Sequence, residues 1–203
     1  MIQNTSHAVM SQRLSTINDV DDFPTPPWAT KALMYYVLKN ENIKNQTCLE
    51  PACGRCYMSE VLKRYFKEVI STDKYDYGYA PQRDFMDASY DDEKFDWTIT
   101  NPPFKLAEEF ILKAIKISEV GVAIFARSVL VEGVKRYKNV FSKYPPSIIA
   151  PFVERVPLVK GRIDPKASTA TSYSWFVWKK EESQITRVVW IPPCRKELED
   201  ESY

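Results

Sequence analysis

The 203-residue chain is 44% hydrophobic and 13% aromatic, which excludes a disordered polyelectrolyte and fits one domain with a substantial core. No apolar run approaches the roughly 20 residues of a membrane span, and the opening Met1-Ile-Gln-Asn-Thr-Ser6 lacks the basic and apolar regions of a signal peptide, so a cytoplasmic protein is expected. The formal net charge of +1 hides an asymmetry: residues 1–100 carry 11 Lys+Arg against 15 Asp+Glu, and residues 101–196 carry 17 against 8. A basic half beside an acidic one suggests a polyanion contacted on one side, the alternative being charges scattered over a solvated surface.

Residues 1–22 are polar and aperiodic and read as a flexible arm. In Asp22-Phe-Pro-Thr-Pro-Pro-Trp28, Thr25 is expected to cap a helix whose first turn holds prolines and whose Leu33, Tyr36 and Val37 share one face. Such a helix start offers free N–H groups to a carboxylate or phosphate. Thr47–Gly54 reads as a short strand running into a glycine turn. Met58, Val61, Leu62, Tyr65 and Phe66 then give the spacing of an amphipathic helix. Val69–Asp73 is a second strand with a carboxylate at its tip. Strand, glycine turn, helix, strand and terminal acid outline a nucleotide-binding unit, the acid placed to accept ribose hydroxyls.

Phe95, Trp97 and Ile99 alternate with Asp96, Thr98 and Thr100, which is strand periodicity. Asn101-Pro102-Pro103-Phe104 then stops the strand abruptly, because proline fixes φ and disfavours the helical region in the residue before it. An amide side chain beside carbonyls that no proline N–H can claim suits a flat amino group, and Phe104 is placed to stack on the ring carrying it. The competing interpretation is an ordinary proline turn. A helix follows on Ala107, Phe110, Ile111, Ala114 and Ile115, a strand over Val120–Ala126, and a further helix with Val131, Val134, Tyr137 and Phe141 on one face. Ser147–Val159, Thr171–Trp178 and Ile185–Ile191 read as β segments, the first two joined by the basic loop Lys160–Lys166. Pro192–Tyr203 reads as a polar tail, acidic over residues 197–203. Cys48, Cys53, Cys56 and Cys194 show no repeated pair spacing, so reduced thiols and no metal site are expected.

Together these stretches resemble the S-adenosylmethionine-dependent amino methyltransferases, specifically the DNA adenine (N-6) methyltransferases, over about residues 22–196. Phe23-Pro-Thr-Pro-Pro-Trp28 is similar to that family's N-terminal motif, which implies that Thr25, Pro26 and Trp28 lie at the cofactor's carboxylate. Leu49-Glu-Pro-Ala-Cys-Gly54 resembles the cofactor loop, implicating Glu50, Pro51, Ala52 and Gly54, with Glu50 near the methionine amino group. Asp73 matches the ribose acid, Asp84 and Phe85 the pair at the cofactor's adenine, and Asn101-Pro102-Pro103-Phe104 the catalytic motif, Asn101 also facing the cofactor. The motif order is gamma-like. Arg155–Pro165 with Thr169–Trp178 further resembles small phage and prophage-associated enzymes, of the kind linked to DNA methylation and restriction-modification.

The resemblance implies a Rossmann-like class I methyltransferase fold: α/β, with a mostly parallel seven-stranded sheet ending in an antiparallel hairpin. It also implies an arm over 1–22, one methyltransferase domain over 23–196, an acidic tail, and methyl transfer to adenine in DNA. Double-stranded DNA is the expected partner, with Phe104, Lys160, Arg162, Lys166, Tyr173 and Trp175 as the substrate-binding set. Localisation would be bacterial cytoplasm, or a phage-encoded protein in its host. Two departures stand out. Cys56 occupies the usual second loop glycine, and no large target-recognition domain follows, so sequence preference would be short or supplied by a specificity partner or a homodimer. RNA adenine, protein glutamine and a non-catalytic cofactor- or DNA-binding subunit remain alternatives. An oxidoreductase is weaker, because the G-x-G-x-x-G run is missing.

Overall fold

The computed structural model describes residues 21–181 and 185–200. Seven strands form one sheet: β1 (Thr47–Glu50), β2 (Glu68–Ser71), β3 (Phe95–Thr100), β4 (Ser118–Arg127), β5 (Ile148–Pro151), β6 (Tyr173–Lys179) and β7 (Arg187–Val188). Their order is β2-β1-β3-β4-β6-β5-β7. All neighbouring pairs are parallel except those made by β6, which runs antiparallel between β4 and β5. β5 and β6 are thus the antiparallel hairpin expected from the sequence, followed by the short edge strand β7.

Alternation along the strands sends side chains into two apolar layers. Trp97, Ile99, Phe125 and Trp175 join Trp28 and Leu33 of α1 (Pro27–Ala32, continuing as a π-turn over Leu33–Val37), with Met58 and Leu62 of α2 (Tyr57–Leu62). Leu49, Ile124, Phe176 and Trp178 pack on the opposite face against Phe110, Ile111 and Ala114 of α3 (Ala107–Ile117). Thr98 and Thr100 are buried as well, so β3 is covered on both faces and Thr98 Oγ1 bonds Ser118 Oγ at 2.7 Å. Gly121 of β4 permits this closeness: a Cβ there would sit 2.5 Å from the Trp97 ring. Trp175 fixes α1 to the sheet through an indole N–H to the Ala29 carbonyl, 3.0 Å.

Four sequence expectations change. Thr25 does not cap α1; Pro26 occupies that position without a side-chain bond. Val131, Val134 and Tyr137 do not face the core. Residues Ser128–Val131 form a 3-10 turn, Gly133 takes φ 112°, and α4 (Val134–Arg136, continuing as a π-turn over Tyr137–Phe141) begins only afterwards, leaving Val134 73% and Tyr137 61% exposed. The β segment expected over Ser147–Val159 shrinks to β5 and one bridge at Phe152. Finally, part of the polar tail is a helix, α5 (Arg195–Asp200), anchored by buried Leu198, whose carbonyl accepts from Lys31 Nζ at 2.8 Å. The expected arm falls on residues 1–20, outside the described residues, apart from Asp21 and Asp22. Among the described residues no helix is long and apolar enough to cross a membrane.

Candidate active site

β1 pairs with β2 on one side and β3 on the other, so the direction of chain progression reverses at β1. A crevice outside the carboxyl ends of the strands is where open α/β sheets hold ligands. Glu50 closes β1, Asp73 follows β2, and Asn101 follows β3 along this single edge.

The β1–β2 wall is tied together internally. Thr72 N–H bonds the Glu50 carbonyl and Cys53 N–H the Thr72 carbonyl, both at 3.0 Å, extending the parallel ladder into the loop. Asp73 accepts Gly54 N–H on Oδ2 and Tyr75 N–H on Oδ1, each at 2.8 Å. Burial raises its pKa, against the pull of those two donors. Gly54 has φ +50° and nothing within 4 Å of where its Cβ would lie, so the loop borders open space. Cys56 adopts φ 60°, the left-handed conformation natural to glycine. The loop therefore keeps the glycine-like turn at this position, at a backbone cost of roughly 1–2 kcal/mol. Glu50 is buried and bonded to Ser59 Oγ, which also meets Ser71 Oγ at 2.6 Å. Burial pushes the Glu50 carboxyl up to about 8, the Ser59 bonds opposing and the nearby Asp73 adding to the rise.

The β3–α1 wall is finished differently. Asn101 Nδ2 donates to the Phe23 carbonyl at 3.0 Å, which fixes the amide and turns Oδ1 the other way, buried and without a partner among the described residues. Thr25 Oγ1, Trp28 Nε1 and Thr100 Oγ1 are likewise buried and unpartnered. Segment 21–23 laces this wall to its surroundings: Asp21 accepts Phe104 N–H at 2.7 Å, Asp22 pairs with Arg55 of the glycine loop at 2.8 Å, and the Asp22 carbonyl takes Gly161 N–H at 2.9 Å. The Phe23 ring lies 5.4 Å from the Phe104 ring.

The donor set can be tested against S-adenosylmethionine. Thr25 O–H and Trp28 N–H are unpaired donors of the kind a carboxylate takes up, the glycine loop leaves room, and Asp73 retains lone pairs for ribose hydroxyls. The residues fit the group.

Other sequence-selected residues divide. Asp84 lies in the loop after Asp73; burial would raise its pKa, but Lys74 at 2.9 Å and the Met86 N–H at 3.0 Å hold it below the usual range. Phe85 is fully buried, its ring against Tyr90 and Phe110, and so serves as packing rather than as an open stacking face. Trp175 is withdrawn from the substrate set because it is wholly inside the core and its N–H is used by Ala29. Tyr173 stacks at 4° on Phe125 and is nearly buried, so its ring is also core. The loop with Lys160, Arg162 and Lys166 does reach this edge, because Gly161 meets Asp22. Sequence reasoning missed Arg127, the last residue of β4, whose guanidinium carbon lies 4.4 Å from the Phe104 ring centroid. A basic residue ending a strand gives no signal by itself.

No family model and no curated protein matches the chain. Solved structures do resemble it. A type I restriction-modification methyltransferase subunit from Streptococcus thermophilus superimposes with TM-score 0.65 at 12% identity, over 83% of this chain and 47% of that one. A candidate class I S-adenosylmethionine-dependent methyltransferase from Listeria monocytogenes gives 0.62 at 13%, over 95% and 75%. A candidate RNA methyltransferase from Pyrococcus horikoshii gives 0.58 at 19%, over 85% and 96%. The chain spans about half the length of the Streptococcus subunit. At these identities the likeness establishes the fold, which is the Rossmann-like fold of class I methyltransferases.

Proposed function

We propose that this chain transfers a methyl group from S-adenosylmethionine to the exocyclic amino group of adenine in DNA. The observation that carries the reading is Asn101: an amide fixed by Phe23, with its oxygen buried and unpaired, at the sheet's carboxyl edge beside an aromatic ring. Thr25, Trp28, Glu50, Gly54 and Asp73 would hold the cofactor, which supplies a sulfonium methyl when bound. An adenine amino group is a poor nucleophile because its lone pair is delocalised into the ring. Accepting one N–H at Asn101 Oδ1 and the other at the Pro102 carbonyl favours a pyramidal nitrogen. No strong base is required, since the proton leaves after nitrogen has become cationic, and catalysis is positioning and electrostatics. Phe104 would stack on the extruded base, offsetting an unstacking cost of a few kcal/mol.

The basic second half of the chain supports a nucleic-acid acceptor over a protein one. On this reading the protein works in a bacterial cytoplasm, its own or a phage host's, with sequence preference set by a partner subunit or a second copy. Incubation with radiolabelled cofactor and separate DNA, RNA and protein acceptors, followed by nucleoside analysis, tests the proposal. N6-methyladenine in DNA is the expected product. Label found only in RNA or protein would overturn the DNA assignment, and no label in any acceptor would overturn the enzyme itself.

A further inference from the structure

Arg127 has no role in the function proposed above, yet its guanidinium lies over the Phe104 ring. Its backbone is locked as the last pair of the β4–β6 ladder, opposite Tyr173. Its guanidinium lies over Phe104 at 4.4 Å, near Tyr173, whose pKa burial raises and the Arg127 charge pulls back down. Its Nε–H is buried and has no partner among the described residues. A buried donor left unpaired costs roughly as much as a hydrogen bond contributes, and often more.

Two buried groups of opposite kind, without a partner among the described residues, therefore belong to this edge: the acceptor Asn101 Oδ1, three residues before Phe104 in the chain, and the donor Nε–H of Arg127, whose guanidinium lies over the Phe104 ring. A guanidinium is planar and carries its N–H groups in that plane, so a base reaching the rim of Phe104 next to Arg127 could meet Nε–H. The complement of this pair is an N–H donor adjacent to a ring lone pair, the edge –N=C–NH2. Adenine presents it as N6 beside N1, and cytosine as N4 beside N3; on adenine's other edge N7 stands one ring atom further from N6 but keeps the same donor–acceptor order. At their O6 and O4 edges guanine and thymine place a carbonyl oxygen beside N1–H or N3–H, which would set acceptor against acceptor at Asn101 and donor against donor at Arg127; guanine keeps the –N=C–NH2 order only at N2 beside N3.

We propose that Arg127 is the residue that selects an amino-bearing base, donating Nε–H to the ring nitrogen next to the amino group that Asn101 accepts. The inference rests on the proposed amino-transfer reading. It adds the discrimination against oxo bases, which Asn101 alone enforces from one side only.

The test is a cycle between protein and substrate. Wild-type protein, Arg127→Met and Arg127→Lys are assayed for methyl transfer on oligonucleotides in which every adenine is native, 1-deaza or 7-deaza, so that no target sequence need be known. With wild-type protein one of the two analogues should lose roughly tenfold to a hundredfold in kcat/KM, the value of a hydrogen bond to a charged donor. With Arg127→Met that same analogue should lose nothing beyond native adenine, and Arg127→Lys should fall between. Additive losses, or a wild-type enzyme indifferent to both analogues, would overturn the assignment and leave Arg127 as a support for Phe104. Should Arg127→Met fail to fold, Arg127→Lys, which keeps the charge without Nε–H, takes its place in the cycle, and a full analogue penalty retained there would overturn the assignment. Transfer with additive losses sinks only this inference, whereas no transfer by wild-type protein to any adenine strand sinks the parent reading and this one with it.

Discussion

The two walls of the crevice obey opposite rules of hydrogen-bond satisfaction. On the β1–β2 wall both carboxyl groups are engaged from within, Asp73 by two backbone N–H groups and Glu50 by Ser59. On the β3–α1 wall Thr25, Trp28, Thr30, Thr100 and Asn101 each keep a buried polar atom without a partner among the described residues, and Arg127 beside them keeps a sixth. Native folds leave few such atoms, because each costs on the order of 1–3 kcal/mol. On the proposed function the difference has a use: the first wall is satisfied from within, while the second keeps polar atoms that a bound cofactor or base would pair. A ligand on the first wall must share lone pairs already in use. One on the second meets no such competition.

The sharpest way to break this contrast is at Asn101. Asn101→Ala removes the unpaired acceptor and one bond to Phe23, so methyl transfer should fall by at least a hundredfold to a thousandfold, on the scale of a lost oxyanion-hole donor. Unfolding temperature and cofactor affinity should barely change. Single-turnover transfer, thermal unfolding and calorimetric cofactor titration check the three quantities together. Wild-type turnover in a folded variant would rule out the mechanism.

Glu50 sharpens the contrast through pH. Its folded-state pKa, about 8, lies above the ordinary 4.5, so the native state holds a proton that the unfolded chain loses sooner. Stability from this group is fully present below about pH 4.5, declines as pH rises, and is lost above about 8. Glu50→Gln cannot ionise. It should match wild type near pH 4.5 and exceed it by a few kcal/mol at pH 9. Urea unfolding at the two pH values measures the difference, and equal midpoints at pH 9 would show that the buried carboxyl is not strained by its charge.

A smaller effect is expected at Asp73. Asp73→Ala should weaken cofactor binding by about 1–3 kcal/mol, the worth of hydrogen bonds to a charged acceptor. Because Asp73 also holds Gly54 and Tyr75, some of that loss belongs to the loop. Asp73→Asn separates the two contributions, since it keeps an acceptor for one N–H. Unchanged affinity by calorimetry in both variants would remove Asp73 from the cofactor site.

Much of this architecture was legible because period and punctuation agree. Met58 through Phe66 shows helical spacing, the alternation ending at Thr100 is strand-like, and Asn101-Pro102-Pro103 stops it. Elsewhere periodicity misled. Val131, Val134 and Tyr137 are spaced like a buried face, but Gly133 at φ 112° resets the helix and turns them outward. Trp175 and Tyr173 alternate properly along β6, and alternation cannot say whether an inward ring meets core or ligand; here it meets Ala29 and Phe125. Leu198 was hidden by its acidic neighbours, although one buried leucine suffices to dock a short helix. The unpaired atoms of the β3–α1 wall were invisible in principle, since satisfaction is a property of three-dimensional neighbours.

The remaining contrast lies along the rim, where two basic segments compete for a phosphate backbone. In the loop between β5 and β6, Gly161 binds Asp22 and a tight bridge joins Val159 to Arg162, so the loop is held against the N-terminal segment that covers Asn101 and Phe104. Arg162 is well exposed and pairs with Asp164 at 3.2 Å, a surface contact worth little that a phosphate can displace. The rival segment is α4, but there Arg136 is turned inward, Nη1 donating to the carbonyls of Leu130 and Glu132 at 2.9 and 2.7 Å, which leaves Lys135 and Lys138 to face outward. Each phosphate contact steepens the log–log salt dependence of duplex binding by roughly 0.9. Replacing Lys160, Arg162 and Lys166 with Ser should therefore flatten that slope by about two to three units while cofactor affinity stays the same. Replacing Lys135 and Lys138 instead should change it by less. Fluorescence anisotropy of a short duplex over a salt series reads both variants. A slope untouched by the loop triple and flattened by the α4 pair would move the interface to the exposed ridge of Val134 and Tyr137.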